Sequence, residues 1–356
     1  MKVTFLIGNG FDINCGLKCT FREICEDYIR KESASEIIKH FKDNMDRNID
    51  TWADFEIAMN QYLSNFKTEE EALECIRDFK LFMKESLKRE EALFLSRISE
   101  RKAESIIESY KDEIRESLQQ FYLGINNNIN AKYRGLIALN NTEFSFISYN
   151  YTRIFDRLLL TTGIIPSVIH IHGELNDETV VGIDSETQLN TNLQFLPSID
   201  LRREFIKTLF NQEYDTNRVI YADSYITNCD VMCVFGMSLG DSDLSWRNKI
   251  IKWLKSDSNH HLFLYQYSCS NLNYFTVPHR MALEDKAKEA FFERLQLDDD
   301  VRNAIRERIH IPIGKNIFNI NKVLFKAEKE QAEYEARIKR KNEDARQRST
   351  GSMQGV

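Results

Sequence analysis

The stretch "FLIGNGFD", Phe5–Asp12, decides the reading of this chain. The residues from Val3 to Ile7 are β-branched or large and apolar, with no polar alternation. That is the pattern of a strand buried on both faces, as in parallel sheets. The run stops at Gly8-Asn9-Gly10, where two glycines permit positive φ and a close approach of the backbone. A tight turn after a first strand, leading toward a helix, is where doubly wound folds hold nucleotide phosphates. The dinucleotide fingerprint itself is absent, because Ile13 stands where its third glycine belongs and the next glycine is Gly16. No Walker A lysine follows either. An ordinary strand-ending turn is the simpler reading, and the rest of the chain has to choose.

Downstream of the turn the texture is helical. Residues 21 to 125 contain no proline; the four prolines of the chain stand at 166, 197, 278 and 312. "CEDYIRKESASEIIKHFKDNM", "EALECIRDFKLFMKESLKREEALFLSRI" and "ESIIESYKDEIRESLQQFYLGI" place apolar residues near i, i+3, i+4 and i+7, the spacing of amphipathic helices. The texture then changes. "TEFSFISYN" (142–150), "SVIHIHG" (167–173), "TVVGI" (179–183), "CDVMCVFGMSLG" (229–240) and "HHLFLYQY" (260–267) read as strands, with "TRIFDRLLLTT" and "DLSWRNKIIKWLK" as helices between them. Alternating strands and helices predict parallel βαβ units. The expected fold is therefore α/β, a doubly wound, mostly parallel, Rossmann-like sheet with a large helical insertion after the first strand. The boundaries are read as 1–32 for the first βα unit, 33–125 for the insertion, 126–317 for the rest of the α/β core, and 318–356 for a charged helical tail with a disordered end.

The bulk numbers narrow the function. A net charge of −7 over 356 residues makes a nucleic-acid partner an unfavoured expectation. Seven cysteines are scattered singly apart from Cys15, Cys19 and Cys25, so reduced thiols are expected rather than a metal site. No apolar run approaches the ~18 residues that span a bilayer, and the N-terminus runs straight into a strand. No membrane association and no leader are expected, and the expected location is cytoplasmic.

Three further strand ends carry polar residues. "FISYNYT" ends on Asn150 and Thr152, "VIHIHGE" on His172 and Gly173, and "CVFGMSLGDSD" on Gly236, Ser238, Gly240, Asp241 and Asp243. The carboxyl ends of parallel strands line the ligand crevice, so these loops should converge with Gly8–Asp12. Asn150 offers donor and acceptor without charge, for a water or a ribose hydroxyl. His172 can take a proton near neutral pH, and Gly173 would let a ligand close to the backbone. Ser238 and the loop N–H groups suit phosphate or ribose, and Asp241 and Asp243 suit ribose hydroxyls. The plain alternative makes those two aspartates caps of the helix that starts at "LSWRNKII". His170 reads as a buried supporting histidine.

The order GNGFD, SYNYT, HIHG and FGMSLGDSD, spread over residues 5 to 243, resembles the abortive-infection AbiH family of phage-defence proteins, which is itself similar to the sirtuin-like NAD-binding fold. The resemblance implies NAD as substrate and no metal, with Asn150 and His172 as the catalytic pair of an NAD glycohydrolase. Gly8, Asn9, Gly10, Asp12, Gly236, Ser238, Asp241 and Asp243 would bind the nucleotide. "TWADFE" (51–56) also resembles a motif of the family, with Trp52 and Glu56 expected one turn apart on a helix packed over the cleft. Lys18 stands where the family often has proline, and the two cysteine pairs of the sirtuin zinc module are missing, which favours water over a peptide as acceptor. A second copy of the chain or a phage-derived trigger is the further partner the resemblance implies. The competing reading is a non-catalytic nucleotide sensor or interaction module using the same pocket.

Overall fold

Six strands form one sheet: β1 (Lys2–Ile7), β2 (Glu143–Ser148), β3 (Val168–His170), β4 (Val231–Phe235), β5 (His261–Tyr265) and β6 (Ile309–His310). All neighbours pair in parallel, in the order β3-β2-β1-β4-β5-β6. This is the 3-2-1-4-5-6 order of the dinucleotide-binding sheet, in which the strand order reverses between β1 and β4. The computed structural model describes residues 1–99, 103–122, 142–164, 167–214, 216–265, 277–295, 297–313 and 316–323, with scattered positions from 325 to 341. The expected insertion boundary at 125 and the expected disordered end lie outside the described residues.

The unalternating apolar runs have a physical outlet on both faces. Val3, Phe5 and Ile7 enter one hydrophobic core with Val231, Cys233, Phe235 and Phe263. Leu6 enters a second core with Met232, Val234, Leu262 and Leu264. Phe5 sits at the centre of the first, with the rings of Phe121, Phe144, Phe146 and Phe318 at 5.7–6.1 Å. Truncating such a ring to alanine costs about 3–5 kcal/mol.

Helices fill the described sequence between β1 and β2, and their breaks follow the caps. Thr20 and Glu23 form a capping box on the Phe21–Arg30 helix, Ser35 caps Glu36–Arg47, and Asp54 caps Phe55–Tyr62. Two long helices follow, Glu69–Ser99 and Ala103–Gln120. Buried residues of the helices between β1 and β2, among them Phe41, Trp52, Phe55 and Phe79, belong to the same core as Phe5. The helical layer is therefore packed onto one face of the sheet. It is also tied to the segment after β3, where Lys84 donates to the Asp177 carbonyl (2.7 Å) and Arg77 pairs with Glu204.

Three sequence expectations change. "TVVGI" is not a strand: it makes only isolated bridges, Gly173 to Thr179 and Ile183 to Ile206. Its valines are buried, Val181 in the core that also holds Phe5. Trp52 and Glu56 do not share a helix, because Trp52 ends Ile49–Trp52 and Asp54 starts the next one. Trp52 packs among Phe41, Phe55 and Tyr62, with its indole N–H on Asn44, inside the helical layer. Finally, Phe318 and Ile320, where the solvated tail was expected to begin, are buried. Phe318 is held at a φ of 56° by hydrogen bonds of its N–H to Ser117 and of its carbonyl to Asn14.

Candidate functional site

The loops after β1 and β4 meet where the strand order reverses. Gly8 N–H donates to the Phe235 carbonyl (2.8 Å) and Gly10 N–H to the Gly236 carbonyl (2.9 Å). A Cβ on Gly10 would lie 2.5 Å from the Gly236 Cα, and Gly236 itself has a φ of 71°. The glycines of "GNG" are therefore required by this junction, where Gly10 admits the backbone of Gly236. Asn9 likewise turns its amide onto the Cys19 carbonyl (2.9 Å). Gly173 is needed for its own turn, since a Cβ there would lie 2.0 Å from the Glu178 carbonyl oxygen.

Beside this junction lies a cavity of about 270 Å³, at the lower edge of the size of ligand pockets. Gly8, Asn9, Asp12, Asn150, His172, Gly236, Ser238 and Asp243 line it, so eight of the ten residues expected from the sequence stand together. Gly10 lies behind the wall, and the Asp241 side chain lies outside the described structure.

Asn150 is set from two sides. Its Nδ2 donates to Asp12 Oδ1 (3.1 Å), and Thr152 Oγ1 donates to the other carboxylate oxygen (2.7 Å). With Nδ2 so engaged, Asn150 Oδ1 is a buried acceptor with no partner among the described residues. Behind it, His170 Nδ1 donates to the Asn150 carbonyl (2.9 Å), while Nε2 faces Asp156 at 3.0 Å. Burial presses the pKa of His170 down, but Asp156 and the Asn150 carbonyl outweigh it and the net shift is upward. Both ring nitrogens face acceptors, so the imidazolium satisfies both. Asp12 is fully enclosed, and burial lifts its pKa to about 7 against the pull of Thr152 and Asn150.

His172 behaves oppositely. Burial and then the charge of Lys207 lower its pKa to about 3 against the pull of Asp243, so the ring is neutral. Its Nε2 has no hydrogen bond among the described residues, although Asp243 Oδ1 is 3.5 Å away. The Tyr149 ring stands edge-on to it at 5.3 Å, and the buried Tyr149 hydroxyl is also without a partner among the described residues. Three orphaned polar atoms thus sit on the lining residues of one cavity. Unmade buried hydrogen bonds cost about 1–3 kcal/mol each, and a ligand bearing hydroxyls would recover that.

A buried ionic row forms the far wall. Lys207 Nζ is 2.7 Å from Glu56 Oε2 and 3.2 Å from Asp243 Oδ1, and donates to the Ser242 carbonyl (2.8 Å). Glu56 Oε1 accepts from the Gly182 N–H (3.1 Å). Burial raises the Glu56 pKa to about 7 in spite of Lys207. Burial opposes the charge on Asp243 and on Lys207, yet their mutual attraction holds the acid below its ordinary value and the amine above. Asp243 occupies the N-cap position of the Leu244–Ser256 helix, but its side chain makes no capping bond. Asp184 does that work from a distance, accepting from the Ser245 N–H and hydroxyl. Lys207 was missed in the sequence: in "EFIKTLF" it reads as an ordinary exposed helix lysine. Glu56 was flagged only through "TWADFE".

Among the described residues, no cluster of His, Cys, Asp and Glu fits a metal ion, and no helix is long and apolar enough to cross a membrane. Comparison with protein families matches residues 4–265 to a family described as bacteriophage abortive infection AbiH. Neither the curated proteins nor the solved structures searched gave a match.

Proposed function

The chain belongs to the bacteriophage abortive infection AbiH family, and from that premise we propose that it serves phage defence by hydrolysing the nicotinamide–ribose bond of NAD in the cavity beside the β1–β4 junction. The observation that carries the reading is the pair of orphaned acceptors, Asn150 Oδ1 and His172 Nε2, on the lining of one cavity at the strand-order reversal. A ribose presents the hydroxyl donors that both lack, and a doubly wound sheet binds its ligand at that reversal. The resemblance of SYNYT and HIHG to motifs of sirtuin-like NAD-cleaving proteins supports the choice of nucleotide.

In this reaction the bond from the ribose C1′ to the nicotinamide nitrogen breaks, and its electron pair neutralises the pyridinium. A water oxygen bonds to C1′, and the water proton leaves to His172 or to solvent. The transition state is oxocarbenium-like. Asn150 Oδ1 and the neutral His172 hold the ribose and the water. Asp243, held as a carboxylate by Lys207 on the cavity lining, favours the developing cation.

Incubating the purified chain with NAD and separating the products tests this. Nicotinamide and ADP-ribose released in equal amounts are expected. The depressed basicity of His172 is the one observation on the side of a non-catalytic nucleotide sensor. Saturable NAD binding without turnover would select that reading, and neither binding nor turnover would refute both.

A further inference from the structure

We propose that Lys207 and Glu56 are positioning residues that hold the Asp243 carboxylate beside His172, making Asp243 the anionic partner of the histidine instead of a ribose ligand. The role given to His172 rests on the hydrolase reading; the geometry of the row does not.

Three distant segments build the row. Glu56 comes from the Phe55–Tyr62 helix of the helical layer, Lys207 opens the Lys207–Tyr214 helix, and Asp243 precedes the Leu244–Ser256 helix. An ammonium has three N–H donors. Lys207 directs them at Glu56, Asp243 and the Ser242 carbonyl, so none is left for a ligand phosphate although the residue lines the cavity. Both Glu56 oxygens are engaged as well, one by Lys207 and one by Gly182. The row therefore serves itself, and its free end is Asp243. The Asp243 oxygen that Lys207 grips, Oδ1, is also the one 3.5 Å from His172 Nε2. Asp243 gives up a capping bond worth about 1 kcal/mol to stand there.

The charges around His172 make the arrangement adjustable. Lys207 and Arg218 disfavour its imidazolium and Asp243 favours it, while the Tyr149 and Tyr151 rings shield it from water. Glu56 acts only through Lys207. In the resting row Lys207 neutralises Asp243 and adds its own repulsion, so the histidine stays neutral. Any proton that Nε2 takes up places an imidazolium next to a carboxylate already in position.

The test reads protonation directly and needs no turnover. The full chain is labelled with 15N-histidine, and His172 is assigned from the signal lost in His172→Gln. In the wild type the His172 resonances should stay those of neutral imidazole down to acid pH. In the acid range where His172 titrates Glu56 already holds its proton, so Glu56→Gln/Lys207→Met removes the ammonium charge alone and leaves Asp243 to the histidine. Its His172 midpoint should rise by at least about one pH unit, a tenfold gain in proton affinity. Adding Asp243→Asn to that variant should cancel the rise. If the double variant does not fold, Lys207→Gln, which keeps hydrogen-bond donors toward both carboxylates, carries the same expectation. A folded variant whose midpoint does not move, or whose rise survives Asp243→Asn, would reduce the row to a structural ion pair and overturn the proposal. Should the midpoint shift as expected while the wild type leaves NAD uncleaved, the positioning stands and the hydrolase reading falls.

Discussion

Asp12→Asn should stabilise the protein, and only on the alkaline side. The sequence reading offers Asp12 to the nucleotide, but the structure spends both its oxygens on Asn150 and Thr152. Burial raises its pKa from 3.8 to about 7. Below the lower value both folded and unfolded chains hold the proton, and the folded protein has its full stability. As pH rises, the unfolded chain releases the proton first, so stability falls until the folded carboxyl ionises as well. A shift of that size corresponds to about 4 kcal/mol at 1.36 kcal/mol per unit, an upper bound reached near neutrality. The asparagine imitates the protonated acid: its oxygen keeps Asn150 Nδ2, and the Thr152 hydroxyl rotates to accept from the new amide. Melting curves of both proteins should coincide at about pH 4 and separate toward about pH 8, with the variant higher. Glu56, with a similar pKa, is common to both and cancels. NAD binding should survive Asp12→Asn, because Asn150 Oδ1 keeps its aim, and should be lost in Asp12→Leu, which frees the Asn150 amide. A gap between the curves that is independent of pH, or a variant less stable throughout, would refute this account of Asp12.

Gly10→Ala should lower stability by more than about 2 kcal/mol, because its Cβ meets the Gly236 backbone at 2.5 Å; a melting temperature equal to that of the wild type would show that the β1–β4 junction is looser than described. His170→Ala should cost about 3–5 kcal/mol, as breaking a buried charged pair does. Since the folded pKa of His170 is raised, that loss should be largest below its unfolded pKa and shrink as pH climbs through the folded value, which melts at acid and alkaline pH will check. Trp52→Ala should destabilise the helical layer while the folded fraction keeps its affinity for NAD, since Trp52 packs away from the cavity; a weakened affinity measured by calorimetry would contradict that placement.

The sheet was legible because its strands are buried on both faces: unbroken runs such as "KVTFLI" and "VMCVF" have no other stable home. The convergence of strand ends followed from parallel order alone, which is why Asn150, His172 and Asp243 were found. The roles of single residues were less legible. Gly10, Asn9 and Gly173 carry the composition of a ligand loop, yet their short contacts are to other backbone, and only the fold brings Gly236 and Glu178 against them. "TVVGI" has strand composition, yet it makes only isolated bridges although β3 stands at the sheet edge, and composition does not reveal whether an edge is extended. Lys207 left no local trace, because its partners stand 151 and 36 residues away and pairing at such range has no periodicity to reveal it. The two-residue β6 is too short to rise above its surroundings in "RERIHIP".

Side-by-side turnover of the wild type, Asn150→Ala and His172→Ala tests whether Asn150 and His172 act on NAD. Each protein is checked for an intact melting transition, incubated with NAD, and analysed for nicotinamide. Turnover by the wild type and a loss of about 10²–10⁴-fold in each variant are expected, the contribution of a positioned polar or acid–base group. Equal rates in all three proteins, or no nicotinamide from any of them, would contradict that role.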